Sequence, residues 1–261
     1  MIYVIGGTHE CRQICEILKH HHLPFILSVA TKLGEDTYGH YADRLIVKRL
    51  DAVSMDALIR AEKINWVIDA SHPHAVLVSQ QAIEAAKATG TTYTRFVRKT
   101  QEDAASYGKF FENEEEALNY LSGQQGQIMV TGSKTLEEAI KVLGLERIVA
   151  RVVPSTESLH QCEHLGLKPN QMIALLGPFS VEMNRLLLKT YHISYLMFKE
   201  GGEGSGYIEK LKACQLEKVK AIVIKVPYIN YREVTESYEA LLEKIKDYYN
   251  RHVAHDNSSC K

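Results

Sequence analysis

The sequence lacks several features that would assign it to a specialised class of protein. No apolar run reaches the roughly 18 residues of a membrane-spanning helix, and residues 1–5 carry no basic segment of the kind that begins a signal peptide. The 31 lysines and arginines nearly balance the 32 aspartates and glutamates, for a net charge of −1, whereas nucleic-acid-binding proteins usually carry a basic excess. We therefore predict a cytoplasmic protein with no membrane or nucleic-acid partner, and the oligomeric state stays open.

Cysteine and histidine usage gives no sign of a stapled or metal-bound fold. The five cysteines are odd in number and scattered, and no Cys-x-x-Cys pair occurs. This pattern indicates neither a disulfide framework nor a structural zinc site. His160 and His164 have the spacing of a metal-binding helix face, but no third ligand at a suitable spacing accompanies them. We predict no metal site.

Short β-branched and aromatic runs alternate with longer amphipathic stretches along the whole chain. The runs predict strands at 2–5, 25–30, 45–48, 66–69, 93–95, 127–131, 147–152, 172–176, 195–199 and 221–225. The amphipathic stretches predict helices at 8–19, 54–62, 75–89, 136–142, 180–190, 207–215 and 232–250. Such alternation is typical of parallel sheets with helices on both faces.

The number of strands is large for one open sheet, and polar segments at 99–108 and 122–126 interrupt the pattern. We therefore predict an α/β protein with two Rossmann-like parallel-sheet domains and a cleft between them. The expected boundaries are 1–110 for a dinucleotide-binding domain and 111–253 for a substrate-side domain. Residues 254–261 are expected to form a frayed tail.

A glycine pair joins the first predicted strand to the first helix. Gly6 and Gly7 would let the backbone approach a pyrophosphate, and Thr8 and Glu10 begin the helix whose N-terminus would meet its charge. The full Gly-x-Gly-x-x-Gly pattern is absent. A tight turn without a ligand therefore stays an alternative.

The end of the second strand bears on the choice of cofactor. NAD-specific folds usually place an acid there to hold the ribose hydroxyls. Here Thr31 and Lys32 follow the strand and would face a 2′-phosphate, which favours NADPH. Glu35 is close enough in sequence to keep NADH open.

The most distinctive string, Asp69 to Ala75, reads Asp-Ala-Ser-His-Pro-His-Ala. It follows the fourth strand, and ligands of open α/β sheets bind at the carboxyl ends of the strands. We expect Ser71, His72 and Pro73 to contact the nicotinamide end of the cofactor. His74 would hydrogen-bond an acidic substrate, and either histidine could donate a proton. The alternative makes Ser71 a helix cap and the histidines loop packing.

The second half repeats the arrangement of a strand followed by a glycine loop. Ser133 lies in one such loop, and Lys199 begins another that runs through Gly206 and could hold an anion on its backbone amides. Tyr195 and Lys199 match the Tyr-x-x-x-Lys pair of short-chain dehydrogenases. That pair works on a helix, and on a strand the two residues lie about 13 Å apart, so we interpret the match as accidental.

Taken together, these elements resemble the precorrin-6A reductase family, the tetrapyrrole reductases of vitamin B12 biosynthesis. The resemblance covers nearly the full chain. The matching segments, in family order, are 6–10, 69–75, 95–98, 131–133, 151–154, 177–184 and the loop that begins at 199. One departure is Gly201, where the family often has serine in a Lys-x-Ser-Gly pattern. The string 30–34 resembles the branch that acts on cobalt-containing intermediates and tends to favour NADH, so the cofactor stays NADPH or NADH.

The resemblance implies hydride transfer from a dihydronicotinamide to the C18–C19 double bond of precorrin-6A or cobalt-precorrin-6A, which gives the 6B product. Such a substrate carries many carboxylates, which require cations and polar donors. The expected substrate-binding residues are His74, Arg95, Arg98, Ser133, Arg151, Lys199 and Ser205. No catalytic residue is assigned, because the macrocycle's own nitrogens can accept electron density. The proton donor and the cobalt state of the substrate stay open.

Two other functions fit a dinucleotide-type fold. One is a non-catalytic dinucleotide sensor or scaffold, which the arginines and the glycine loop of the second half disfavour. The other is an S-adenosylmethionine-dependent methyltransferase, which the dinucleotide-type helix start at Thr8 disfavours.

Overall fold

The chain forms two compact units, one built from Met1–Lys99 with Tyr228–Lys261 and the other from Thr100–Pro227. A computed structural model describes residues 1–8, 10–97, 108–202 and 204–252. Each unit contains one six-stranded sheet in which neighbouring strands run parallel. The predicted α/β class with two Rossmann-like sheets is confirmed.

The first unit begins with five strands that alternate with helices. They are β1 (Ile2–Ile5), α1 (Glu10–His20), β2 (Phe25–Val29), α2 (Lys32–Tyr38), β3 (Arg44–Val47), α3 (Ala52–Ala61), β4 (Trp66–Asp69), α4 (Val76–Thr89) and β5 (Thr92–Phe96).

The second unit repeats the alternation. Its elements are β6 (Gly108–Phe111), α5 (Glu114–Ser122), β7 (Gln127–Thr131), α6 (Leu136–Leu143), β8 (Ile148–Val152), α7 (Thr156–His164), β9 (Met172–Ala174), α8 (Val181–Thr190), β10 (Ile193–Lys199), α9 (Tyr207–Glu217) and β11 (Lys220–Ile224). The chain then returns to the first unit as β12 (Val234–Thr235) and α10 (Tyr238–His252).

The strand orders place a topological switch point in each sheet. The first sheet runs β12-β5-β4-β1-β2-β3, and the second runs β6-β11-β10-β7-β8-β9. The order reverses between β1 and β4 in the first sheet and between β7 and β10 in the second. Open parallel sheets bind ligands outside the carboxyl ends of the strands at this point. We therefore expect a ligand site in the loops that follow these four strands.

Helices cover both faces of the first sheet, which explains why β1, β2 and β4 are buried along their whole length. One face packs against α1 and α10, where Ile14 and Leu241 are fully buried. The other face packs against α3 and α4, where Met55 and Ala82 are buried. In the second unit, α5, α6 and α7 cover one face and α8 and α9 the other.

The domain boundaries differ from the expected 1–110 and 111–253. β6 spans the expected junction and belongs to the second unit, where it pairs with β11. β12 pairs with β5 in the first unit, and α10 packs there through Leu241 and Ile245. The expected tail at 254–261 lies outside the described residues.

Secondary structure departs from the prediction in a few elements. The structure adds β6, β12, α2, α5 and α7, which the pattern did not predict. The helix predicted at 232–250 begins at Tyr238, because residues 234–235 form an edge strand instead. In the described part of the chain, no helix combines the length and apolar character that crossing a bilayer requires.

Candidate functional site

The loops after β1 and β4 lie side by side at the switch point of the first sheet. The hydroxyl of Thr8 donates a hydrogen bond to the carbonyl of Ala70 at 3.0 Å, and the amide of Ala70 donates to the carbonyl of Ile5 at 2.9 Å. Both loops carry residues that are predicted to bind the cofactor. The structure brings them together.

The two glycines of the first loop have different roles. A Cβ on Gly6 would lie 2.8 Å from Sγ of Cys11 and 3.0 Å from Leu27, so Gly6 permits close packing between strand and helix. Gly7 is exposed and has a φ of +146°, which side chains rarely adopt. A Cβ there would lie 3.8 Å from the amide nitrogen of His72. Gly7 therefore keeps the backbone open beside the second loop, close to the start of α1.

A buried carboxylate organises the second loop from beneath. Asp69, with no exposed surface, accepts hydrogen bonds from the amide of Ser71 at 2.9 Å, the hydroxyl of Ser79 at 2.6 Å and the hydroxyl of Tyr93 at 2.7 Å. Burial, and then the charge of Asp69, raises the pKa of Tyr93 far above its ordinary value. Tyr93 thus stays neutral and serves as a hydrogen-bond donor.

Arg95 completes this network and is 1% exposed. Its Nη1 lies 2.7 Å from Oδ1 of Asp69 and donates to the hydroxyl of Ser71 at 2.9 Å, while Nη2 donates to the carbonyl of Ser71 at 2.8 Å. The guanidinium also lies 5.5 Å from the ring centre of Tyr231.

Two residues that were predicted to bind ligands lie inside this network. Arg95 is enclosed with Asp69 and Ser71, and its contact with substrate stays a prediction. Ser71 is buried and directs its hydroxyl to Arg95, so it supports the loop from below; it does not cap α4, and its contact with the cofactor stays a prediction. Both residues hold the loop that carries the histidines.

His72, Pro73 and His74 form the outer part of that loop, with His72 exposed and the other two half-buried. The amide of His74 donates to Nδ1 of His72 at 3.2 Å. A neutral His72 therefore carries its proton on Nε2. In that state Nε2 is the donor atom of the His72 side chain.

The polar residues after β2 bond to one another. Thr31 caps α2 by accepting from the amide of Gly34, and Lys32 forms ion pairs with Glu35 at 2.9 Å and Asp36 at 3.3 Å. The lysine expected to meet a 2′-phosphate is thus paired with two carboxylates. Glu10, also predicted to contact cofactor, is the half-buried first residue of α1.

Three predicted substrate ligands lie at a strand end or in loops of the second unit. Lys199 ends β10 and forms an ion pair with Glu114 at 2.7 Å. Ser133 follows β7 and is half-buried, and the exposed Ser205 donates to the carbonyl of Gly202 at 2.6 Å. Tyr195 and Lys199 both lie on β10, as expected from the strand interpretation. Arg98 lies outside the described residues.

Arg151 lies at the end of β8 and is 7% exposed. Its Nη1 donates to Oδ1 of Asn184 at 2.8 Å, and its guanidinium lies 5.2 Å from the ring centre of Phe179. Burial lowers its pKa to about 10. A cation of this kind without an acidic partner marks a place where negative charge would be favourable.

Three residues were not predicted to take part in either site. Asp69 and Tyr93 belong to the hydrogen-bond network beneath the His72 loop, and Lys210 lies in the second unit. Lys210 lies in the first turn of α9, and burial together with the charge of Arg151 lowers its pKa to about 7. The helical pattern of the sequence gives no sign that Lys210 differs from an exposed surface lysine. No cluster of three potential metal-binding side chains occurs in the described ranges.

Comparisons with known proteins agree with this geometry. A solved structure titled "CobK precorrin-6A reductase" superimposes with a TM-score of 0.79 at 21% identity, covering 94% of this chain and 96% of that chain. At this level of identity, the likeness shows the fold.

Among curated relatives, a cobalt-precorrin-6A reductase of Methanothermobacter thermautotrophicus is 31% identical, covering 88% of this chain and 77% of the relative. Relatives of the same name from Methanocaldococcus jannaschii and Salmonella typhimurium are each 29% identical and cover 94% of this chain, and 97% and 95% of their own lengths. Residues 1–246 match the family described as "Precorrin-6x reductase CbiJ/CobK". With this match over nearly its whole length, the chain belongs to the precorrin-6x reductase family.

Proposed function

We propose that this oxidoreductase reduces precorrin-6A or cobalt-precorrin-6A to the corresponding 6B product, at the C18–C19 double bond, with NADH or NADPH. The observation that carries the proposal is the family match over residues 1–246 together with the paired loops at the switch point of the first sheet. A sensor or a methyltransferase on the same fold would not explain why the relatives are named reductases.

The first unit has the features that a dinucleotide requires. The exposed backbone at Gly7 would let a pyrophosphate approach the start of α1, and Thr8 is held beside it through Ala70. The loop of His72 to His74 is rigidly supported by Asp69 and Arg95, which would fix the position of the nicotinamide end. When bound, the cofactor supplies a hydride.

The polycarboxylate substrate would be held by cations and polar donors. His74 is the candidate in the first unit, and Arg98 is carried forward from the sequence alone. In the second unit the candidates are Ser133, Arg151, Lys199 and Ser205. Lys199 already forms an ion pair with Glu114. It can therefore bind a substrate carboxylate only if it contacts both carboxylates at once or leaves Glu114. Arg151 has no such competitor within the described residues.

The test is an anaerobic assay with purified protein, precorrin-6A or cobalt-precorrin-6A, and either dinucleotide. We expect loss of dihydronicotinamide absorbance with one equivalent of 6B product formed. The proposal fails if neither metal state of the substrate oxidises either cofactor. Tight dinucleotide binding without turnover would instead support the sensor function, and calorimetric binding of S-adenosylmethionine would support the methyltransferase.

A further inference from the structure

We propose that Arg151 and Lys210 form one anion-binding subsite in the second unit, and that this subsite takes a carboxylate of the macrocyclic substrate. The inference rests on the proposed function for the identity of the ligand. The existence of an anion site rests on the geometry of the unit alone.

The guanidinium of Arg151 is positioned but not neutralised. Phe179 stacks on it at 5.2 Å and Asn184 accepts one hydrogen bond from it. Asn184 is fixed in turn, since its amide nitrogen donates to the carbonyl of Ser180 at 2.8 Å. A guanidinium has five N–H donors, and in the described residues only the bond to Asn184 uses one of them. The rest are left for a ligand.

Lys210 brings a second positive charge to the same side of the sheet. Its Nζ donates to the carbonyl of Gly206 at 2.9 Å and lies 5.4 Å from the ring centre of Phe198. Phe179, which stacks on Arg151, lies against the same turn, because a Cβ on Gly206 would be 3.6 Å from the amide nitrogen of Phe179. Burial and then the charge of Arg151 lower the pKa of Lys210, as expected for two cations held close together. An anion between them would offset their repulsion.

Several other cations of the second unit have acidic partners. Arg185 and Lys189 on α8 both pair with Glu217, and Lys199 pairs with Glu114. In the described part of the chain, no carboxylate lies at ion-pair distance from Arg151 or Lys210. Arg151 is buried and Lys210 half-buried, so neither has the full solvation that an exposed cation without an acidic partner among the described residues, such as Lys212, retains.

The surroundings favour an organic anion over a small inorganic one. The loops after β9 and β10 approach closely, since a Cβ on Gly206 would lie 3.2 Å from Cβ of Pro178. At the same edge of the sheet, Val153, Leu175 and Leu176 are exposed by 41%, 38% and 56%. Exposed apolar side chains at the strand ends near Arg151 suit a ligand with an apolar body and peripheral carboxylates.

The experiment titrates the full-length protein with uroporphyrin, a stable tetrapyrrole polycarboxylate, and follows porphyrin fluorescence. Lys210→Met should weaken binding by about tenfold, the loss of one charge-assisted contact, and Lys210→Arg should restore most of it. Lys212→Met is the matched control, because Lys212 is exposed on the same helix. It should bind like the wild type.

A second variant tests the subsite at Arg151 and leaves Lys210 in place. Asn184→Asp places a carboxylate beside Arg151 with little change in shape, so it should compete with the ligand and also weaken binding. Unaltered circular dichroism and NADH affinity in each variant would establish an intact fold.

The outcomes distinguish a failure of the proposed subsite from a failure of the proposed reaction. If Lys210→Met and Asn184→Asp bind uroporphyrin as the wild type does, the subsite is wrong even where precorrin-6A is reduced. If binding depends on Lys210 but no reduction occurs, the subsite stands and the proposed reaction is wrong. Equal losses in Lys210→Met and Lys212→Met would show general charge attraction and would overturn the subsite.

Discussion

At the scale of single residues, two buried arginines near strand ends have opposite surroundings. Arg95 meets the carboxylate of Asp69 at 2.7 Å, whereas Arg151 meets the neutral amide of Asn184 at 2.8 Å. A buried pair is neutral and can hold a loop, while a buried lone cation is costly and favours an incoming anion. The partner residue therefore decides which arginine supports structure and which is suited to a ligand.

Removing Arg95 should destabilise the first unit. Arg95→Met leaves Asp69 charged and buried, and we expect a loss of about 3–5 kcal/mol in the free energy of unfolding, measured by urea denaturation. NADH affinity should fall as well, because the loop of His72 loses its support. Arg95→Met combined with Asp69→Asn should recover part of the stability. If the double variant loses as much free energy of unfolding as Arg95→Met and Asp69→Asn lose together as single variants, the two residues are not coupled.

Gly7 should control cofactor binding through its backbone. Gly7→Val would place a branched side chain beside the amide of His72 and obstruct the pyrophosphate, so we expect NADH affinity to fall by at least about tenfold, or about 1.4 kcal/mol, by calorimetry. Gly90→Val is the control, since Gly90 also has a positive φ but has nothing within 4 Å of its Cβ position. An equal loss of affinity in both variants would point to backbone strain in place of obstruction.

At the scale of elements, α2 sets the charge beside the loop where we propose that the cofactor binds. Its first turn pairs Lys32 with Glu35 and Asp36, so the loop after β2 has more negative than positive charge. A 2′-phosphate would meet repulsion there, whereas ribose hydroxyls can donate to carboxylates.

The expected result is a preference for NADH over NADPH. Separate titrations of the wild type should give a lower Kd for NADH, and Glu35→Gln with Asp36→Asn should narrow the difference by freeing Lys32. Tighter NADPH binding by the wild type would show that Lys32 leaves its carboxylate partners for the phosphate.

α10 is distant in sequence from the rest of the first unit but forms part of its core. Ile245 is fully buried in the cluster that contains Ile14 and Leu18 of α1. Ile245→Ala should cost about 2–5 kcal/mol in urea unfolding. Leu77→Ala on the exposed surface of α4 should change stability little. If Ile245→Ala leaves the free energy of unfolding unchanged, α10 does not stabilise the unit.

At the scale of the whole molecule, the second unit is an insertion into the first. The chain leaves the first sheet after β5, completes the second sheet from β6 to β11, and returns as β12 and α10. One unit is therefore continuous in sequence and the other is not.

This arrangement predicts unequal behaviour of fragments. A fragment of residues 108–227 contains every strand of the second sheet and should unfold cooperatively in urea. A fragment of residues 1–110 lacks β12 and α10, leaves an apolar face of α1 uncovered, and should be unstable or aggregate. Cooperative unfolding of 1–110 alone would show that the returning segment is dispensable.

Much of this architecture was predictable from local pattern. Strands at 2–5, 66–69 and 127–131 have the predicted bounds, because strands buried on both faces read as continuous apolar runs. β6 and the two-residue β12 escaped prediction because edge strands are short and only partly buried. α2 and α5 escaped because their sequences are rich in polar residues.

Local sequence pattern accounts for the α/β alternation, the glycine loop after β1 and the polar string after β4. These depend on local periodicity and on residues whose backbone or side-chain chemistry is special. Tertiary structure alone decided that Arg95 is neutralised while Arg151 is not, that Lys210 joins Arg151, and that α10 belongs to the first unit. Each of these depends on which side chains meet across long sequence separations, and a charge is structural or available only according to the partner that folding brings to it.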